Sequence, residues 1–413
     1  MDSAAIGQFS AGVNTIWVLL CAALVFFMEG GFAFLEAGFI SAKNSLNIVM
    51  KVFMDCTVGM LSYWFIGFAV MYGLDKGGIF GHSGFFISGD LSHLKLKIPI
   101  YAYWIFQAAF AIAMASIVSG AVAERMKFGP YIIYTFLAAG LIYPVAGHWV
   151  WGVGGWLGKM GMIDFAGSSV VHAVGGWSAL AAVLVLGPRG GRYNDDGTVN
   201  FQPPHNLHLA FLGTFILWFG WFGFNAGSTL SGLDMNIGRI VVTTNLAAAA
   251  GGTAAALFTL FRFGKADPSM TINGSLAGLA AITAGCAFVS PASAVLIGGV
   301  AGILVVLAVY FFDHRQADDP VGAIAVHGVN GTWGILAVGL LAEKGGLLHG
   351  GGWHLLGVQA LGIAVISFWA FAATYIIFSL LKKTVGIRAS AEQEITGMDL
   401  SEHDIAAYAL FEQ

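Results

Sequence analysis

The fold class this sequence predicts is an all-α polytopic membrane protein, and three observations carry that expectation. Of 413 residues, 58% are hydrophobic and only 10% are charged, where an ordinary soluble domain has about a quarter charged. Mean hydropathy is +0.80. Glycine is in excess, at 58 residues, which suits helices that must approach closely because lipid supplies no hydrophobic drive between them. The formal net charge of -4 offers no basic footprint for nucleic acid. Cys21, Cys56 and Cys286 lie in apolar stretches without metal-ligand spacing, and read as small core residues.

The opening stretch MDSAAIGQFSAGVNT lacks a basic n-region, so the first apolar run reads as a permanent helix and not a cleaved signal. Charges and turn residues cut the chain into eleven runs, at about 15–39, 52–73, 99–122, 130–150, 165–187, 207–230, 238–261, 271–289, 294–312, 323–342 and 354–381. Each is near the length, about 20 residues, that spans the hydrocarbon core. An odd count puts the termini on opposite sides. With the N-terminus outside, six of the 18 basic residues (Lys76, Lys95, Lys97, Lys159, Arg239 and Lys344) face outward, and the other twelve, from Lys43 to Arg388, face the cytoplasm. The positive-inside rule therefore favours N-out and C-in. Residues 1–384 form the membrane domain, with halves at about 15–187 and 207–342 and an eleventh helix at 354–381. Residues 385–413 form a polar cytoplasmic tail. In it, Ser401 to Asp404 has capping-box spacing and is followed by apolar Ile405, Tyr408 and Leu410, which predicts a short helix.

The fifth run contains His172-Ala-Val-Gly-Gly176 and the tenth His327-Gly-Val-Asn-Gly331, both of the form H-[AG]-V-[GN]-G. Each histidine is in the last helix of a group of five. Because five is odd, the second group enters the membrane from the opposite side, the pattern of a five-plus-five inverted repeat. Equivalent mid-helix residues then meet near the midplane, and the flanking glycines let two backbones come close. Ionisable side chains in spans usually face a cavity or a partner, so His172 and His327 are expected to face each other. The alternative is two core histidines, each bonded to a backbone carbonyl. A zinc site would need further ligands, and none accompanies the pair, so no metal is expected.

The sequence resembles the Amt/Mep/Rh ammonium transporters, with details closer to the microbial Amt type. The resemblance covers nearly the whole chain. It is carried by AERMKFG (123–129), VWG (150–152), DFAGSSVVH (164–172), GWFGFNAGS (220–228), NGSLAGLAAITAG (273–285), DDPVGAIAVHGVNG (318–331) and GMDLSEHDIAAY (397–408). It implies an eleven-helix bundle assembled as a homotrimer with one pore per subunit, in the cell (plasma or inner) membrane. It implies ammonium or ammonia as substrate, methylammonium as an analogue, and no cofactor. The paired pore histidines fall on His172 and His327. The outer recruiting site falls on Trp151, Ser228 and Phe110, the stacked phenylalanine gate on Phe110 and Phe224, and the pore-mouth acid on Asp164. The tail resembles a segment that packs on the cytoplasmic face, and a cytoplasmic PII signal protein is the implied partner. The family tail is nearer GLD-x-x-EHGE-x-AY, so Met398, Asp404 and Ile405 depart from it.

Without the resemblance, Trp151 reads as an interfacial belt residue, and Phe110 and Phe224 as ordinary aromatics among 33 phenylalanines. Asp164 suits an N-terminal helix cap, a role compatible with easing a nearby cation. Glu29, Glu36 and Asp55 are expected to be interior and hydrogen-bonded, with structural roles. No nucleophilic triad, nucleotide loop or metal cluster points to an enzyme. The expected function is ammonium transport. The alternatives are an ammonium sensor signalling to a cytoplasmic partner, and an Rh-like neutral gas channel.

Overall fold

A computed structural model of the chain describes residues 3–408; the end of the predicted tail, Leu410 included, lies outside the described residues. The long helices are α1 (Ala5–Phe39), α2 (Ala42–Tyr72), α3 (Ile100–Ala121), α4 (Phe128–Lys159), α5 (Ser168–Leu186), α6 (Leu207–Gly227) and α7 (Ile237–Phe263). Then come α8 (Pro268–Ile282), α9 (Pro291–His314), α10 (Ile324–Leu341) and α11 (Trp353–Thr384). Among the described residues, ten helices are long and apolar enough to cross a membrane. Two short helices follow in the tail, α12 (Ala391–Thr396) and α13 (Met398–His403).

Small residues set the packing. A Cβ on Gly213 would strike the α1 backbone at Gly31 and Leu35, so α1 and α6 lie nearly backbone to backbone. Gly251, Gly274, Gly298 and Gly302 do the same for α7, α8 and α9. Helices α5 and α10 run in opposite directions. Arg125 shows this, because its guanidinium donates both to Gly187 O, just past the end of α5, and to Asp318 O, just before α10.

Four sequence expectations need correction. The eighth run was expected to span 271–289, but α8 has 15 residues and stops at Ile282. The carbonyls that would extend it are taken by the segment before α5: Phe165 N donates to Ala284 O, Ala166 N to Thr283 O and Ser168 Oγ to Ala280 O. Helix α1 starts well before residue 15, since nothing in SAAIGQFSAGVN breaks a helix. Cys56 is only partly buried, unlike Cys21 and Cys286. The capping box is formed by Ser390 and Gln393, not by Ser401. Ser401 sits inside α13, which begins where Asn44 Oδ1 takes the Met398 N–H at 2.7 Å. It ends because Asp404 is left-handed, at φ 55. That is the position where the family tail has glycine, and aspartate is among the few residues that tolerate it.

The tail seals one end of the bundle. Asp399 accepts from Leu46 N at 3.0 Å and Asn47 N at 2.8 Å, capping the first turn of a helical stretch of α2. Glu402 accepts from Phe128 N, the start of α4, at 3.0 and 2.9 Å. Lys43 Nζ donates to Glu394 O and Ile395 O. This tail-side end also carries a buried ion network. Arg189 bridges Glu124 and Asp318, with 2.8 Å to Asp318 Oδ1.

Glu124 lies in the α3–α4 turn at φ 70. Burial pushes its carboxyl up, but Arg189 and the Ser41 N–H and hydroxyl outweigh that and hold it down, to about 2. A depressed folded value stabilises the fold fully above the ordinary value of 4.5, and the benefit is lost as pH falls through about 2. Thermal melts of purified protein should therefore lose on the order of 3 kcal/mol between pH 4.5 and 2 through this group. Glu124→Gln should start less stable at neutral pH and show a shallower decline across that window.

Candidate functional site

A run of ring contacts links Trp151, Phe110, Phe224, His172 and His327, positioned from two similar helix starts. Asp164 precedes α5. Its Oδ1 accepts from Gly167 N and Ser168 N at 2.9 and 2.8 Å. Its Oδ2 accepts from Ser169 N at 2.8 Å, Val170 N at 3.1 Å and the Ser169 hydroxyl at 2.6 Å. Asp319 precedes α10 in the same way, accepting from Val321, Gly322 and Ile324 N–H groups. A helix N-terminus leaves such N–H groups without internal partners, and burial makes the carboxylate their necessary acceptor. In both cases a glycine with positive φ follows three residues on, Gly167 and Gly322. A histidine follows eight residues on, from Asp164 to His172 and from Asp319 to His327. The shared pattern D-x-x-G-x-x-x-x-H extends the histidine repeat, and it is the signal the sequence reading missed.

Both histidines sit on wide π-type turns, Ser168–Ala173 and Ile324–Val329. Such turns are uncommon and cluster at functional sites. Just beyond, the two helices cross at their glycines. A Cβ on Gly176 would run into the Gly328 backbone, and one on Gly331 into Ser168 O. This crossing brings His172 and His327 together, with Nδ1 atoms 3.2 Å apart and ring centroids 5.2 Å apart. With both rings neutral, one Nδ1–H must donate to the other Nδ1. The pair then presents one Nε2 lone pair and one Nε2–H. His172 Nε2 is buried with no partner.

On the side remote from the tail, the line continues. Phe224 is 5.6 Å from the His172 ring centroid, and Phe110 is 4.1 Å from Phe224 with a 31° tilt. Trp151 meets Phe110 edge-on at 6.4 Å. Phe110, Trp151 and Ser228 line a cavity there with Gln107, Tyr103 and Phe165. The Trp151 indole N–H donates to Asp164 O at 2.7 Å, so the aspartate fixes the tryptophan as well as the helix start. Ser228 Oγ donates to Phe224 O at 2.9 Å, which leaves its lone pairs free. Trp151, Phe110, Phe224, His172 and His327 thus form one run of ring contacts, with Ser228 in the cavity at its far end and Asp164 holding Trp151. The reading missed Trp221, which stacks on His172 at 5.3 Å and is held by its indole donation to Thr283 at 3.0 Å. On the tail side, His327 lines a second cavity with Phe32, Glu36 and Asn273.

Among the described residues no cluster of three or more His, Cys, Asp or Glu has the placement to hold a metal ion. Glu29, Glu36 and Asp55 are all buried, and Glu36 lines the cavity it shares with His327. Asp55 accepts from Tyr131 at 2.7 Å and Thr135 at 2.7 Å, and Ser116 Oγ stands 2.6 Å from Glu29 and 3.1 Å from Asp55.

A family model described as Ammonium Transporter Family matches residues 16–408. The chain is 47% identical to "Ammonium transporter Amt2" of Archaeoglobus fulgidus, over 97% of its own length and 89% of that protein's. It is 38% identical to "Ammonium transporter 1 member 3" of Solanum lycopersicum, over 99% and 95% of the two lengths. Among solved structures, it superposes on one described as "Sensor Amt Protein" with a TM-score of 0.92 at 41% identity, covering 96% of this chain and 99% of that one. It superposes on Candida albicans Mep2 with a TM-score of 0.86 at 29% identity, covering 92% and 87%.

The Asp164 cap generates a stability expectation. Asp164→Ala strands four buried N–H groups and a hydroxyl, so the unfolding midpoint of the detergent-solubilised protein should fall by the equivalent of at least ~3 kcal/mol. Asp164→Asn, which keeps one acceptor, should lose about half of that.

Proposed function

This chain belongs to the Ammonium Transporter Family, and from that premise we propose that it conducts ammonia derived from ammonium along the line of rings. Ammonium is recruited at the cavity of Trp151, Ser228 and Phe110. It sheds its proton at or before the His172–His327 pair, and neutral ammonia crosses beyond Phe110 and Phe224. The proton is carried along or follows its own route. The observation that supports this reading is the pair of buried, facing imidazoles, 3.2 Å apart, with a cavity on each side.

Magnitudes favour deprotonation. Moving a bare cation into hydrocarbon-like surroundings costs several kcal/mol after relaxation, and about 20 in the Born limit. Releasing a proton from an amine-like group of pKa about 9–10 at pH 7 costs about 3–4 kcal/mol. Coupled neutral imidazoles can accept and hand on a proton because each has two distinct ring nitrogens. Before that step, the Trp151 face attracts the cation by about 0.5–2 kcal/mol. The Ser228 lone pairs reward a donor such as ammonium over potassium, which has no N–H.

The chain is a multi-pass membrane protein. We read it further as an eleven-helix, five-plus-five inverted repeat, with α8 as the short span. The opposed directions of α5 and α10 and their matching Asp-to-His intervals support that. The excess of basic residues at the tail-side end supports a cytoplasmic C-terminus. The homotrimer, methylammonium as an analogue and a PII partner at the tail come from the family resemblance. A second reading, an ammonium sensor, is favoured by the similarity to the structure described as "Sensor Amt Protein"; ammonium binding without flux in liposomes would select it.

Two outcomes test the proposal. In proteoliposomes on a solid-supported membrane, His172→Leu/His327→Leu should abolish the ammonium-evoked current or uncouple it from transport, and an unchanged ammonium-specific current would refute the reading. Trp151→Leu should raise the half-saturating ammonium concentration about 2- to 30-fold, the span set by the cation–π energy.

A further inference from the structure

Resting on the reading of Trp151 as the ring that recruits ammonium, we infer that Asp75 and His148 are positioning residues for that site: they form a strut that ties together two walls of the far-side cavity and so sets how tightly the cation is held. The cavity takes Tyr72 from the end of α2 and Trp151 from α4. His148 is on α4, three residues before Trp151, and is fully buried. Its Nδ1 is 2.8 Å from the carbonyl oxygen of Met71, the residue before Tyr72. Its Nε2 is 3.0 Å from Asp75 Oδ1. One side chain thus joins both walls.

Both partners of the ring are acceptors, a carbonyl and a carboxylate. The ring fills both contacts only as an imidazolium, with an N–H on each nitrogen. Asp75 belongs to a two-stranded hairpin, β1 (Asp75–Lys76) and β2 (Phe80–Gly81), that follows α2. Its Oδ1 also accepts the Gly78 N–H at 2.7 Å, which closes the hairpin turn. The His148 contact and then that N–H hold the Asp75 carboxyl below its usual range. The other charged group here is Lys159, 4.0 Å from Asp75 Oδ2 and 66% exposed, so solvent screens it. The chain is glycine where it wraps the pair. A Cβ on Gly154, at φ 108, would lie 2.7 Å from the Asp75 carboxyl carbon, and one on Gly152 or Gly155 would run into His148.

Trp151 is held from two directions. Its indole N–H is fixed by Asp164 O. Its helix turn is fixed through His148, whose carbonyl accepts the Gly152 N–H at 3.0 Å where α4 bends away from helical form. The hairpin braces the same turn at two more points: the Trp149 indole donates to Ile79 O at 2.9 Å, and Trp156 N donates to Gly78 O at 3.2 Å. Cutting the Asp75 contact leaves the imidazolium buried without its counter-charge, and the turn that carries Trp151 must then shift to rehydrate it.

Ammonium-evoked currents of the full chain in proteoliposomes test the strut against Trp151. Asp75→Ala should raise the half-saturating ammonium concentration about 3- to 10-fold, the order of one hydrogen bond, and leave the saturating current unchanged. Asp75→Asn should retain the starting value, because an amide can either accept from Nε2 or donate to it. His148→Gln reaches one of the two partners and should match Asp75→Ala. In a Trp151→Leu background Asp75→Ala should add nothing, since it acts through that ring. If the buried His148→Gln does not yield folded protein, the Asp75 variants carry the test, because that side chain is 23% exposed. A half-saturating concentration that Asp75→Ala leaves unchanged, or a shift that persists in full beside Trp151→Leu, overturns the strut and leaves the recruitment reading intact. No shift in Trp151→Leu alone overturns the recruitment reading itself.

Discussion

The contact on which the rest of the molecule depends is the crossing of α5 and α10 at Gly176 and Gly328. Nothing larger than hydrogen fits at Gly176, whose Cβ would lie 2.0 Å from Gly328 N. In lipid, close backbone approach has to replace the hydrophobic drive that packs soluble proteins, and this crossing applies that rule at the centre of the fold. It sets the distance between His172 and His327, and through Phe224 and Phe110 it sets the line of rings that leads from the far-side cavity. A shift of the two helices by one methyl group would separate the imidazoles beyond hydrogen-bond reach.

Buried carboxylates are the second constraint, and they divide by what surrounds them. Asp164 and Asp319 are held by helix-start N–H groups and are locked in place. Glu124 and Asp318 are held by Arg189 at the tail-side end. Asp55 has several hydroxyl donors, while Glu36 shares one with a carbonyl. In a low-dielectric interior, hydrogen-bond donors favour the charged form of a carboxylate and burial disfavours it. The structure therefore ties Asp164 and Asp319 to the helix starts and leaves Glu36 with the single Ser119 hydroxyl.

Much of this was legible in the sequence, for identifiable reasons. Span length and the two H-[AG]-V-[GN]-G stretches reported helices and their centre, because apolar run length and glycine patterning map directly onto membrane geometry. Trp151, Phe110, Phe224 and Ser228 were legible only through family motifs, since aromatics are too common here to stand out. Asp319 went unnoticed because it follows Asp318, whose partner is an arginine, and adjacent acids look alike on paper. The early stop of α8 was hidden because the cause is a hydrogen-bond competition with a loop more than a hundred residues away in sequence. Trp221 was quoted within a motif but had no role until its indole was seen over His172.

The tail contacts bear on biogenesis. Asp399 and Glu402 complete the first turns of helices that were synthesised far earlier: Glu402 lies 274 residues after Phe128, and Asp399 lies 352 after Asn47. Until the ribosome has released those acids, the amide hydrogens at the tail-side starts of two spans have only water or lipid headgroups to bind. A truncated product would leave the translocon with those ends raw. Those two helix starts therefore reach their final hydrogen bonding only after Asp399 and Glu402 have been made.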